Sequence, residues 1–320
     1  MDVTAQTRLD WFGCATFRLS RKDLVIFLDA YVDRAPGASG PGLRSNQVDR
    51  ADWILVGHSH FDHLWGAEEI ARRTGATIVG SYETVRILAD LGVPTEQLMP
   101  VSGGERIRLS SEVSVMVLPS QHSCVWVDLR FQPADEVCLG DLGVMLQDRT
   151  ERYLEQWSAR AWPSPTREHL NSTEQGARGD GGPLTFVIDT PEGSLLFQDT
   201  AGFWSGIYAK LEVDVAILAA AGRGQVDGEP FQGTLADFIA MQAQLLAPRS
   251  LILCHHDDWL PGFSTPTDID PILASVRRLS PTTALQELAY LDGHDVFGTT
   301  HNVLSAAAPR TSTSTERRVT

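Results

Sequence analysis

In the stretch Gly57-His58-Ser59-His60-Phe61-Asp62-His63, three histidines and one carboxylate fall within six residues. Neutral imidazole and carboxylate oxygen are both ordinary donors to zinc and similar borderline metals, so this density of donors points to metal chemistry. Packing gives no reason for it. A single core histidine is satisfied by one hydrogen bond, whereas three so close together would need three partners at one place. The cluster follows the apolar run Trp53-Ile54-Leu55-Val56 directly, which reads as a buried strand.

Three more junctions of the same kind carry donors. The alternating run 106–118 ends in Pro119-Ser120-Gln121-His122, and a predicted hairpin over 184–188 and 194–197 runs into Gln198-Asp199. Strand 250–254 ends in His255-His256-Asp257-Asp258-Trp259. An isolated His122 would read as a satisfied polar residue at a strand end, and Asp199 as a turn residue. Recurrence of donors at four strand ends changes both readings, because loops leaving strand ends are free to converge on one site.

The elements that must position these donors alternate in type. Strands are expected over 8–19 and 24–29, then a Gly/Pro-rich loop over 35–42 and the strand 53–56. Helices over 67–73 and 83–91 are each closed by a glycine, Gly75 and Gly92, with a short strand 77–79 between them. Strand 215–218 leads into the small-residue loop 219–224, and a helix over 234–246 stops before Pro248. Residues 124–182 break the rhythm. An amphipathic helix is expected over 145–157, while 162–165 and 176–182 read as irregular, so this segment is taken as an insertion covering one side of the site. The expected organisation is one domain over 1–304 and a disordered Ser/Thr/Ala-rich tail over 305–320.

The net charge of −15 argues against a nucleic-acid partner, since affinity for phosphate is built from Lys and Arg clusters. The four cysteines, Cys14, Cys124, Cys138 and Cys254, form no Cys-x-x-Cys pair and read as reduced thiols. The first residues lack a basic segment followed by an apolar one, and no apolar run approaches the ~20 residues of a membrane span. The chain is expected to be cytoplasmic, with no transmembrane segment; a homo-oligomer is compatible with it.

The pattern His58-x-His60-x-Asp62-His63, then a histidine after a strand, an aspartate after a hairpin and a late histidine, resembles the metallo-β-lactamase superfamily. The resemblance implies an α/β fold, a four-layer αββα sandwich. More narrowly, Trp11-Phe12-Gly13-Cys14-Ala15-Thr16-Phe17 and Phe27-Leu28-Asp29 resemble the branch of ascorbate-6-phosphate lactonase and the N-acylphosphatidylethanolamine phospholipase D-like hydrolases. Many members of that branch have Gly-His-Ala-Thr where this chain has Gly13-Cys14-Ala15-Thr16.

Carried over by position, the family pattern puts His58, His60 and His122 on one metal. Asp62, His63 and the late histidine go on a second, and Asp199 bridges them. The family's form, a histidine one residue after the strand, favours His255, and His256 would then face substrate or support the ligands from behind. Asp29 is expected to orient the loop as a hydrogen-bond acceptor, with a capping role as the alternative. Arg223, between Gly222 and Gly224, either grips an anionic group or sits in a flexible turn. Trp126, with Trp157, Trp162, Phe131 and Tyr153, either lines an apolar cover above the metals or packs a small core of its own.

The reaction implied is hydrolysis of an ester-type bond, a lactone or a phosphodiester, by hydroxide formed on two divalent ions. Zinc is first in order, with Mn²⁺ or Fe²⁺ as alternatives, because zinc brings the pKa of bound water to about 7. Asp62 is the expected proton shuttle as well as a ligand. The substrate is a small molecule, with an apolar acyl or aromatic group beneath residues 124–165. A mononuclear iron dioxygenase and a non-catalytic metal-binding scaffold are the alternatives.

Overall fold

The computed structural model describes residues 6–173 and 178–298, so the expected tail and part of the irregular run 176–182 lie outside it. Wholly apolar runs such as Val215-Ala216-Ile217-Leu218-Ala219 form strands buried on both faces, as expected where a sheet is covered on each side. Successive side chains point to opposite faces. Val215 and Ile217 accordingly enter the core between two sheets, while Ala216 and Leu218 pack outward against helices.

The first sheet contains β1 (Arg8–Gly13), β2 (Thr16–Arg21), β3 (Leu24–Leu28), β4 (Trp53–Leu55), β5 (Thr77–Ser81) and β6 (Leu98–Val101) side by side in chain order. The second runs from β7 (Arg106–Arg108) through β8 (Ser114–Pro119), β9 (Leu184–Thr190), β10 (Gly193–Gln198), β12 (Val215–Ala219) and β15 (Ser250–Cys254) to β16 (Ala284–Gln286). The short β17 (His294–Asp295) returns to the free edge of β1. Strands β11 (Gly202–Phe203), β13 (Gln225–Val226) and β14 (Glu229–Pro230) make a small third sheet.

Helices α2 (Ala67–Thr74) and α3 (Tyr82–Asp90) cover the outside of the first sheet, burying Ile70, Ala71, Ile87 and Leu88 against Ile54 and Ile78. Helices α7 (Leu235–Leu246) and α8 (Asp270–Leu279) cover the second, through Phe238, Ile239, Ile272 and Val276. The result is the four-layer αββα sandwich of the metallo-β-lactamase fold. Between β4 and α2 lies the one-turn helix α1 (Phe61–Leu64); α4 (Leu146–Ser158) and α5 (Ser164–Thr173) follow β8, and α6 (Ser205–Tyr208) follows β11.

Two local expectations change. The single strand over 8–19 is two antiparallel strands, because Gly13 (φ 87°) and Cys14 (φ 49°) are both left-handed and turn the chain. Period-two alternation continues across so short a turn, and only the glycine hints at it. The expected irregular run 162–165 contains the start of α5, where Pro165 sits in the first helical turn and loses no hydrogen bond there.

Candidate metal centre

Every donor singled out in the sequence leaves a strand end on one side of the sandwich. Asp29 is the first residue after β3, Asp199 the first after β10 and His255 the first after β15. His122 follows β8, and the His58–His63 cluster follows β4 and turns through α1. In parallel strands such as β3–β4 and β10–β12–β15 the carboxyl ends align, which gathers residues far apart in the chain.

Candidate donor atoms of His58, His60 and His122 lie within 4.8 Å of one another. The outer nitrogen of each ring faces an oxygen. His58 Nδ1 is 2.6 Å from Asp199 Oδ2, His60 Nε2 is 3.0 Å from the Gly179 carbonyl, and His122 Nδ1 is 2.9 Å from the Ser123 carbonyl. Acceptors on that side place a hydrogen on each of these nitrogens, which donates it. His58 Nε2 and His60 Nδ1 face each other 3.2 Å apart, so a proton or a metal cation must lie between them. Burial, reinforced by the neighbouring imidazoles, holds His58 and His122 well below the usual histidine range, in the form that binds metal.

A second set of donors adjoins the first. Asp62 Oδ2 lies 3.4 Å from His63 Nε2 and 3.2 Å from His255 Nε2. His63 is aimed by Asp29, whose Oδ2 is 2.7 Å from His63 Nδ1 while its Oδ1 accepts the Gly57 N–H at 2.8 Å. Asp199 belongs with His58 and His63, its Oδ2 being 3.3 Å from His63 Nδ1. Its other oxygen, Oδ1, is buried without a hydrogen-bond partner. A buried carboxylate oxygen left unpaired costs free energy, which a bound cation would recover.

The electrostatics require positive charge. Asp29 and Asp199 are fully buried and Asp62 nearly so. Burial pushes Asp29 up to about 7, with the Asp199 carboxylate adding to the rise, and burial likewise raises Asp199. Burial also disfavours the charged form of Asp62, but His63 and His255 outweigh it and hold this carboxyl well below its usual range. Burial works against protonation of His63, yet Asp62, Asp29 and Asp199 raise it well above the ordinary value. These donors fit divalent metal: buried imidazole and carboxylate groups gathered within reach of one another, with Asp199 Oδ1 left without a partner.

The two late histidines diverge. His255, left-handed at φ 63°, turns its ring toward Asp62, whereas His256 stacks on Trp11 with ring centroids 4.7 Å apart. Arg223 and Trp126 belong to none of the three donor groups. The Arg223 guanidinium is 3.1 Å from Asp128 Oδ2, and the Arg149 guanidinium lies 4.4 Å from the centre of the Trp126 ring. Phe131, Trp157 and Trp162 pack with Trp259, Phe263 and Leu170, and Trp259 in turn meets the His255 ring edge to face at 4.8 Å. Tyr153 packs on Trp157.

Three contributors had no role in the sequence reading. Gly57 admits Asp199, because a Cβ there would fall 2.1 Å from Asp199 Oδ2; a glycine opening the donor cluster was the available signal. Asp257 accepts the Cys14 N–H at 2.9 Å and pairs with Arg34 at 3.2 Å, inside a motif whose acidic residues were visible. Cys14 itself places Sγ among the donors of Asp62 and His255.

Residues 25–154 match a family model described as the beta-lactamase superfamily domain. A UPF0173 metal-dependent hydrolase of Pyrobaculum islandicum is 34% identical over 275 residues, covering 85% of this chain and 94% of that protein. The chain belongs to the UPF0173 metal-dependent hydrolase family. A second UPF0173 protein, from Pyrobaculum calidifontis, is 33% identical over 116 residues, 36% of this chain, and the match spans about half (51%) of that relative. Among solved structures, Igni18, a metallo hydrolase of Ignicoccus hospitalis, superposes with a TM-score of 0.57 at 15% identity, covering 90% of this chain and 97% of that one, which shows a shared fold. Among the described residues of this UPF0173 chain, no helix is long and apolar enough to cross a membrane.

Proposed function

We propose that this UPF0173 protein is a dinuclear metal-dependent hydrolase that cleaves an ester-type bond, a lactone or a phosphodiester, in a small molecule. One observation carries the reading: donor atoms of His58, His60 and His122 converge within 4.8 Å of one another, next to a second group of carboxylate and imidazole donors. His58, His60 and His122 would hold one ion and Asp62, His63 and His255 the other, with Asp199 between them. Bound zinc would supply Lewis acidity and lower the pKa of water to about 7. Asp62, beside His63 and His255, would take and return a proton there as well as bind the second ion. Asp29 fixes the tautomer and the aim of His63.

The ester-type assignment rests on the resemblance of the opening motif 11–17 to the lactonase and phospholipase D-like branch. Donors in excess of four, drawn from four junctions, favour an open catalytic centre over a closed structural site. The aromatic cluster that reaches His255 through Trp259 supports a substrate with an apolar group beneath residues 124–165.

Metal quantification alongside a panel of lactones, phosphodiesters and thioesters tests metal and substrate class together. About two ions per chain and hydrolysis of one ester class are expected, with Asp62→Asn lowering turnover by about 10²–10⁴-fold. Oxygen consumption with a single bound iron, or metal binding with no hydrolysis of any substrate, would overturn the reading.

A further inference from the structure

We propose that the Cys14 thiol is a ligand of the second ion, joining Asp62, His63 and His255 and giving that ion a sulfur donor. The inference rests on the dinuclear reading above and adds a residue to it. Cys14 Sγ, an Asp62 carboxylate oxygen and a His255 ring nitrogen all lie within 4.8 Å of one another, and Sγ is 3.5 Å from the Asp62 carbonyl. With metal–donor bonds of about 2.0–2.3 Å, donors around one tetrahedral zinc stand about 3.5 Å apart, so small side-chain movements close the shell.

The backbone is built to hold the thiol there. Cys14 (φ 49°) and His255 (φ 63°) are both left-handed, a conformation that is strained in a residue other than glycine. The two are tied directly, since the His255 N–H donates to the Cys14 carbonyl at 2.8 Å. Trp11 Nε1 donates to the same carbonyl at 3.1 Å, and Asp257 accepts the Cys14 N–H at 2.9 Å. Asp257 is itself clamped by Arg34 at 3.2 Å and by the Tyr290 hydroxyl at 3.0 Å. Here one backbone hydrogen bond links the residues whose thiol and imidazole both lie within 4.8 Å of the Asp62 carboxylate.

On metal binding the sulfur–metal bond replaces the S–H bond and the proton leaves to solvent. Cys14, Asp62, His63 and His255, with Asp199 shared between the ions, would then give the second ion five protein donors and leave the exchangeable position to the first. Thiolate also biases that ion's site toward zinc, cobalt and cadmium over magnesium and manganese, which prefer oxygen.

Full-length protein loaded with Co²⁺ should show the near-ultraviolet thiolate-to-cobalt charge-transfer band. Cys14→Ser should abolish the band and weaken the second equivalent by about tenfold or more, the scale seen on loss of even indirect metal contacts. Cys138→Ser, which changes a thiol outside the three donor groups, should keep it. X-ray absorption on unaltered zinc-loaded protein needs no variant and should give a sulfur scatterer at about 2.3 Å. Two bound ions with no sulfur scatterer and no band, or a band that survives Cys14→Ser, would overturn the assignment while leaving the dinuclear reading intact. Failure to bind any ion would overturn both.

Discussion

The Asp29 carboxylate spans two parts of the metal cluster, with Oδ2 2.7 Å from His63 Nδ1 and Oδ1 accepting the Gly57 N–H at 2.8 Å. Asp29 is left-handed (φ 53°), a conformation that Asp and Asn both tolerate, so Asp29→Asn preserves the backbone. The amide offers one acceptor where the carboxylate offers two, and it cannot serve both His63 and Gly57. Metal affinity should fall by about 10–100-fold with the fold retained. Isothermal titration of the metal-free protein with zinc, alongside circular dichroism, checks both halves of this expectation.

Gly57→Ala should disable the centre from a position that carries no donor. The new Cβ would fall 2.1 Å from Asp199 Oδ2 and 2.6 Å from Oδ1, and Asp199 is fully buried with nowhere to retreat. The carboxylate must leave His58, or the strand end must shift; either breaks the alignment of two donor groups. We expect the bound metal to fall below one ion per chain by atomic absorption. Two tightly held ions in this variant would mean that Asp199 does not lie where the centre needs it.

Chelation should destabilise the protein as well as silence it. Without a bound cation, Asp199 Oδ1 is buried and unpaired beside the close His58–His60 contact. At a free metal concentration a hundred times the dissociation constant, linkage contributes about 2.7 kcal/mol. This corresponds to a fall in melting temperature on the order of 5 °C for a chain of this size. Calorimetry with and without chelator measures it, and zinc should restore the transition while magnesium should not.

His169 offers a pH dependence separate from the metals. Its Nε2 lies 2.9 Å from the Tyr31 hydroxyl, and burial, with help from Arg44, lowers its pKa to about 4. At pH values above the unfolded value of about 6.5 the ring is neutral in both states and exacts no penalty. Between about 6.5 and 4 the unfolded chain takes up a proton that the folded one resists, so stability falls as pH falls through this window. Below the folded value both states are protonated and the loss levels off. His169→Gln should flatten that part of the profile relative to the unaltered protein, as read from melting temperatures across the range, because metal release contributes equally to both.

Much of the fold was legible because its signals are local. Val215-Ala216-Ile217-Leu218 announces a strand buried on both faces, and Thr234 caps α7 through its side chain just where the helical pattern begins. Short elements escaped: β16, with three residues, and β17, with two, have too few positions to show a period and exist only because an adjacent strand offers a free edge. Helix α8 was missed although its apolar face is regular, since it follows a long irregular stretch and lacks a side-chain cap.

For the centre, the sequence by itself determined the donor inventory: His58, His60, Asp62 and His63 in one cluster, and His122, Asp199 and a late histidine each placed just beyond a strand. Residue type and strand ends are local properties, readable along the chain. Grouping of those donors was decided only by the tertiary structure. His58 and Asp199 lie 141 positions apart, and they meet because β4 and β10 end on the same side of two facing sheets. The turn of His255 toward Asp62, the stacking of His256 on Trp11, and the arrival of Cys14 beside them depend on left-handed backbone at Cys14 and His255 and on a hydrogen bond between residues at opposite ends of the chain. No one-dimensional pattern encodes a backbone torsion set by a distant partner, so the thiol became a candidate ligand only in three dimensions.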